Sequence, residues 1–377
     1  MKACMRRSGL SGLAIILALV VPGVVWAQDA PAAQEKSARE ALDRGVKFLE
    51  SKMQPDGTWN KEPGVNGMVI LALLKSGRTT ADPTVKTSLE ALLKFEKADG
   101  GIYDQQIANY STGVAVQVLA AAKDPKYKAT LAKARAFLLG AQMGESNGHP
   151  QEDPNYGGLS YGGAGRGPGR ADLSNTQMWA DAMKDLEKSG LEKDSEAWKR
   201  AVAFISRCQN RSESNNAKVE GVTWTDDGGA TYGPFANRQY LETLPDGRKI
   251  LRSYGSMTYA FLKCMIYADV KRDDPRVQAA VGWIRKNYTL DENPGVGQQG
   301  LFYYYHTMAK ALKAVAEPAL VDDKGVSHDW RADLTKKTLS LQSPDGSWSN
   351  KNDRWFESDP VLVTAYSVLT LNELLAK

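Results

Sequence analysis

One unit of secondary structure recurs six times along this chain: an amphipathic stripe, a turn, then a second segment that is apolar on most of its sides. In "ALDRGVKFLESKM" the residues Ala38, Ala41, Leu42, Gly45, Leu49 and Met53 share one helical face. In "PRVQAAVGWIRKNY" the same face is formed by Val277, Ala280, Val281, Ile284 and Tyr288. This i, i+3, i+4, i+7 spacing predicts helices with one wet side. Comparable stripes fall at 85–93, 131–141, 198–208 and 334–341. The segments that follow read "NGMVILALLKSG", "YSTGVAVQVLAAA", "DLSNTQMWADAM", "YGSMTYAFLKCMIYA", "FYYYHTMAKALKAV" and "DPVLVTAYSVLTLNELL". An apolar surface that wraps most of a helix predicts burial between two layers.

The turns carry a second signature. "MQPDGTWN" and "LQSPDGSWSN" place Gln54 and Gln342 before Pro-Asp-Gly and follow it with Trp59 and Trp348. Pro-Asp-Gly is turn chemistry, because Pro presets φ, Asp bonds nearby backbone and Gly takes φ > 0. The turns Gly101-Ile-Tyr103, Gly158-Leu-Ser-Tyr161 and Gly229-Ala-Thr-Tyr232 are read as its equivalents, and Gly300-Leu-Phe302 as a degraded echo. Six helix hairpins in series form either a closed ring or an open solenoid with polar end caps. Here the first and last units carry the best-formed turns, which suits ends that meet. The expected fold is all-α, a closed (α/α)6 toroid forming one domain over residues 28–377.

Residues 1–27 are set apart from that domain. Lys2, Arg6 and Arg7 precede an apolar run at 13–21, and Val25-Trp26-Ala27 offers a cleavage site before Gln28. This is the pattern of a signal peptide, and the run is too short for a spanning helix. Export to the periplasm or the medium is therefore expected, with no transmembrane segment after cleavage. The segment holds three of the 48 basic residues and none of the 44 acidic ones, which leaves a mature net charge of +1. That balance gives no electrostatic support for binding nucleic acid. Cys208 and Cys264 lie on apolar helical faces, as expected of buried free thiols, and a disulfide between them stays open.

The Gln…Gly-x-Trp turns resemble the QW-type repeats of the terpenoid cyclase and protein prenyltransferase superfamily. Segments 170–183, 251–312 and 342–350 further resemble exported bacterial proteins with prenyltransferase and squalene-oxidase repeats, and the resemblance covers essentially the whole mature chain. It implies an α/α toroid with a central cavity. Class II cyclases of this kind protonate a double bond with an Asp-x-Asp-Asp acid. The nearest match is Trp224-Thr225-Asp226-Asp227, which has Trp in place of the first Asp and runs into the turn glycines. A turn role for Asp226 and Asp227 is favoured over an acid role. The prenyltransferases of this fold hold zinc through Asp, Cys and His, but the chain contains no Asp-x-Cys, and no metal or cofactor is expected. An Asp-Asp-x-x-Asp motif is also absent.

Units three and four carry long insertions at 144–172 and 210–253, the second with a hairpin expected at Pro245-Asp246-Gly247. Both should lie on the rim where the inner helices begin, over the cavity mouth. Tyr303, Tyr304, Tyr305 and His306 are consecutive, so at 100° per residue only some of them face the cavity. Tyr304, Tyr305 and His306 are the candidate acid–base residues, and a histidine of ordinary pKa would make activity change between about pH 5 and 8. Tyr110, Asn175, Trp179, Tyr254, Tyr259, Trp224, Asp226 and Asp227 are the candidate ligand-binding residues. The alternative for all of them is interhelical packing. Three readings follow: a toroid holding an apolar, isoprenoid-like small molecule; a carbohydrate-active lyase or hydrolase; and a non-catalytic binding or scaffold protein.

Overall fold

The computed structural model describes residues 29–162, 169–235 and 240–376, so the expected signal peptide and parts of both insertions lie outside the described residues. Among the described residues, twelve α-helices alternate between two layers. The outer layer comprises α1 (Asp29–Ser51), α3 (Pro83–Leu93), α5 (Lys128–Ala141), α7 (Ser195–Arg207), α9 (Pro275–Lys286) and α11 (Trp330–Ser340). The inner layer comprises α2 (Pro63–Lys75), α4 (Ala108–Ala122), α6 (Leu173–Lys188), α8 (Gly255–Tyr267), α10 (Leu301–Val315) and α12 (Pro360–Leu375). Each inner helix packs on the next, α12 packs on α2, and α1 packs on both α11 and α12. The ring is closed, as the repeat predicts.

The layers follow from the patterns. In α7 the buried positions Ala197, Trp198, Ala201, Phe204 and Ile205 form one stripe, whereas in α4 every residue from Ser111 to Leu119 is buried. Proline in the first turn of α2, α3, α9 and α12 starts those helices where its missing N–H costs nothing. Asp194, Asp274, Asp329 and Asp359 cap helix N-termini by accepting backbone N–H bonds.

The turn between layers is the device that joins one unit to the next. Gly346 has φ +89°, and a Cβ there would stand 2.7 Å from the Arg44 carbonyl oxygen on α1. Gly157 is tighter still: its Cβ would fall 1.8 Å from the Arg200 carbonyl oxygen on α7. Gly57, Gly100 and Gly228 occupy the same place against α3, α5 and α9. Only glycine allows this backbone conformation and this approach together. The glutamine of the motif fastens the contact. Gln342 Nε2 donates to Gly346 O at 3.0 Å and to Ala41 O on α1 at 2.8 Å. Gln142 and Gln209 repeat the arrangement, donating to their own turns and to Ala197 O and Arg276 O on the next outer helices.

Two residues after each glycine, a backbone N–H donates to a side-chain oxygen on the following inner helix. The pairs are Trp59 to Asn66, Ile102 to Thr112, Leu159 to Thr176, Ala230 to Thr258 and Trp348 to Thr364, at 2.8–3.1 Å. This register corrects the reading of the middle turns. Ile102, Leu159 and Ala230, rather than the tyrosines, stand where Trp59 and Trp348 stand. Gly300, the degraded echo, is instead the N-cap of α10 and faces the Trp355 ring.

The expected hairpin forms from β1 (Leu241–Thr243) and β2 (Lys249–Leu251), paired with Leu241 opposite Leu251. A second small hairpin, β3 (Leu320–Val321) with β4 (Ser327–His328), joins α10 to α11. Cys208 and Cys264 are both buried and free, and burial raises both thiol pKa values.

Removing everything after residue 328 deletes α11, α12 and the turn that grips α1, which exposes two apolar flanks. The truncated chain is expected to lose cooperative unfolding; an unchanged melting transition from a monomer would contradict closure. Trp348 is fully buried and its Nε1–H donates to Thr338 O at 2.8 Å. Trp348→Ala should therefore cost about 3–5 kcal/mol in urea unfolding, as for other buried aromatic truncations.

Candidate functional site

Because every turn leads from an outer to an inner helix on the same side of the ring, the inner helices begin on one rim. There they surround an axial cavity of about 190 Å³. All six contribute to its wall: Val65 and Met68 from α2, Tyr110 from α4, Ser174 from α6, Met257 from α8, Tyr303 from α10, Leu362 and Tyr366 from α12. The rim adds Asn60, Glu62, Ile107, Tyr161, Tyr232 and Tyr254, and the loop before α12 adds Trp355, Phe356 and Glu357. Tyr161 and Tyr232 arrive from the two long insertions, which therefore do reach the mouth.

The phenols are hydrogen-bonded, four of them in two phenol–phenol pairs. Tyr232 OH donates to Tyr161 OH at 3.1 Å, Tyr110 and Tyr366 hydroxyls lie 3.3 Å apart, and Tyr303 OH lies 3.4 Å from Ser174 Oγ and bonds Gln177. Burial raises the pKa of all these tyrosines. They stay protonated at any ordinary pH, as hydrogen-bonding rims on apolar rings.

Three carboxyl groups stand around the mouth. Asp172, the N-cap of α6, accepts from the Asn175 backbone N–H at 2.7 Å and its Nδ2 at 2.8 Å. Burial outweighs those bonds and pushes its pKa up to about 7. Glu357 is also buried with a raised pKa, and accepts from the first-turn N–H groups of Phe302 and Tyr303 and from Asn350. Glu62 lines the cavity with its pKa raised by burial and by the neighbouring Asp104 charge.

Below the cavity, and sharing Met68, Tyr110, Tyr303 and Tyr366 with it, is a polar chamber of about 10 Å³. That is room for about one water molecule. It is lined by Gln117, Gln177, Asp181, Lys263 and His306. Lys263 Nζ lies 2.8 Å from Asp181 Oδ2 and 2.7 Å from Gln177 Oε1, and Lys310 Nζ lies 2.8 Å from Asp181 Oδ1. The two lysines hold Asp181 ionised, with a pKa down at about 2 despite burial.

The structure divides the tyrosine–histidine cluster. Tyr303 and His306, three residues apart, face the axis. Tyr304 and Tyr305 face outward and donate to the carbonyls of Thr289 and Leu290. They line neither chamber. His306 is half-buried and lines the lower chamber. Burial, with Lys310 and Lys263 beside it, drives its pKa down to about 3. This corrects the expectation of titration between pH 5 and 8: His306 is neutral throughout that range.

Of the other candidates, Tyr110 and Tyr254 line the cavity. Asn175 braces Asp172, Trp179 packs edge-on against Trp198 at 5.0 Å, and Tyr259 packs on Tyr304 at 5.7 Å. Trp224 is half-buried and lies outside the cavity wall. Asp226 accepts from Ser212, and Asp227 from Gly229 N and Ser253, so both carboxylates hold loops. The sequence reading missed Glu62, Tyr161, Tyr232 and the Trp355–Glu357 strap. Trp355 and Phe356 both have positive φ, 57° and 63°, a conformation that nothing in the local sequence announces.

No family model matches the sequence, and no curated protein matches it. Solved structures do. A variant of the type II terpene cyclase MstE from Scytonema, bound to geranylgeranyl dihydroxybenzoate, aligns over 91% of this chain and 99% of its own, with 15% identity and a TM-score of 0.56. An inactive α-1,6-mannanase, GH76A of Salegentibacter sp. HEL1_6 with α-1,6-mannotriose, aligns over 90% and 100%, with 11% identity and a TM-score of 0.59. A family 76 glycoside hydrolase from a bovine Bacteroides thetaiotaomicron strain aligns over 90% and 77%, with 10% identity and a TM-score of 0.57. The shared feature is the fold. The chain is an α/α toroid, a fold it shares with the Scytonema cyclase and with the family 76 glycoside hydrolases.

The His306 environment makes a pH prediction. The folded state keeps the imidazole neutral down to about pH 3, whereas an unfolded chain protonates it near 6.5. The unfolded state thus binds the extra proton in that window, and this contribution to stability falls as pH drops. The stability advantage of wild type over His306→Leu, measured by urea unfolding, should shrink between pH 7 and pH 4. A difference independent of pH would show that the imidazole is solvated.

Proposed function

We propose that this protein holds a small, largely apolar molecule of isoprenoid-like character in the axial cavity. The observation that carries this reading is the wall itself: aromatic and aliphatic side chains from the inner helices, with tyrosine hydroxyls and, among the described residues, no lysine, arginine or histidine in the lining. Concave, mainly apolar sites with few polar groups are the usual form of small-molecule pockets. The Scytonema cyclase of the same fold takes an isoprenoid substrate, which supports the reading by analogy of fold alone. The segment at residues 1–27 supports the further proposal that the protein works outside the cytoplasm.

The test is extraction of protein purified from its own host with organic solvent, followed by mass spectrometry, for wild type and Val65→Trp. Val65 is partly buried at the start of α2, so the larger ring projects into open space. A lipid-like molecule is expected from wild type and about tenfold less from the filled variant. Recovery of an oligosaccharide would transfer the proposal to glycan chemistry. Empty protein that also fails to bind geraniol in calorimetry would leave the scaffold reading.

A further inference from the structure

We propose that the ligand of the axial cavity carries an alkylated, positively charged nitrogen, held at the mouth among aromatic rings with Glu62 as its counter-charge. This rests on the reading of the cavity as a small-molecule site and adds the chemical class of the ligand's polar end. Tyr110, Tyr161, Tyr254, Tyr303, Tyr366 and Trp355 surround one small space. Aromatic ring faces carry negative electrostatic potential, so such walls attract organic cations beyond what area burial gives. Among the described residues, the two carboxyl groups that line the space, Glu62 and Glu357, bear the same sign, which disfavours an anionic ligand.

The two glutamates are not equivalent. Glu357 already accepts two backbone N–H groups and an asparagine amide. Glu62 occupies the N-cap of α2 without making a side-chain cap bond, and its buried Oε2 has no hydrogen-bond partner among the described residues. The charge acting on it is that of Asp104, which is of like sign. Glu62 is half-buried, and its buried Oε2, opening into an aromatic cavity, lacks a partner among the described residues, which is costly for a polar atom taken out of water. Arg354 does not supply it, because its guanidinium stacks on Trp355, 5.2 Å from the ring centroid, and does not line the cavity. A trimethylammonium group fits the vacant role: it makes no hydrogen bonds, matches the rings and offsets Glu62.

Choline and 3,3-dimethylbutan-1-ol have the same shape and differ in charge. Their binding to the full chain is compared by saturation-transfer NMR and calorimetry at low salt. Choline is expected to bind roughly tenfold more tightly than the alcohol, and Glu62→Gln should remove that excess while leaving the alcohol unchanged. Trp355→Leu, a change in a surface loop, should reduce the same excess and serves if the glutamine variant is unstable. Equal binding of the two probes, or choline binding unaffected by Glu62→Gln, overturns the charge proposal while the apolar site stands. Failure of both probes and of geraniol overturns both.

Discussion

The ring depends on one backbone contact, made five times: a glycine of positive φ pressed against a carbonyl of the next outer helix. Each contact joins unit to unit, and at Gly346 it joins the last unit to the first. Gln142, Gln209 and Gln342 bond across it, satisfying polar groups that a close-packed junction would otherwise strand. The same turn delivers the chain to the inner layer, where Asn66, Thr112, Thr176, Thr258 and Thr364 receive it. Five inner helices therefore start at one level, and α10, capped by Gly300, opens on the same rim. The cavity is a consequence of that alignment.

Two kinds of polarity lie along the axis. At the mouth, phenols and carboxyl groups sit in apolar surroundings, and burial keeps the phenols neutral and raises the carboxyl pKa values. At the floor, Asp181 binds two lysines, and the two lysines with burial hold His306 neutral. A buried ion pair of this sort adds little net stability over an apolar packing of equal volume, but losing one partner is costly. Between the two lies a thin partition of Tyr110, Tyr303 and Tyr366.

The long insertions place Tyr161 and Tyr232 over the mouth, and the last inter-layer loop places Trp355 and Phe356 beside them. Phe356 lines the mouth and is 72% exposed. Sites of this kind are built on loops held by a rigid frame. The frame here is the ring, and the loops shape the mouth of its cavity.

The sequence by itself determined the architecture. Stripes of period 3.6, apolar inner segments and the matched turns at Gly57 and Gly346 required six hairpins whose ends meet, because helix periodicity is local and repeats compound it. It also determined that only part of the Tyr303–His306 run faces the axis. Tertiary structure decided which part: Tyr303 and His306 inward, Tyr304 and Tyr305 outward, since the rotation of a helix about its axis is set by its neighbours. It decided that Ile102, Leu159 and Ala230 take the tryptophan position, freeing Tyr161 and Tyr232 for the cavity. It decided the state of His306 and Asp172 as well, because a pKa is fixed by burial and by charges brought in from other helices. Glu62, remote from its cavity partners in sequence, could be recognised only once the ring had closed around it.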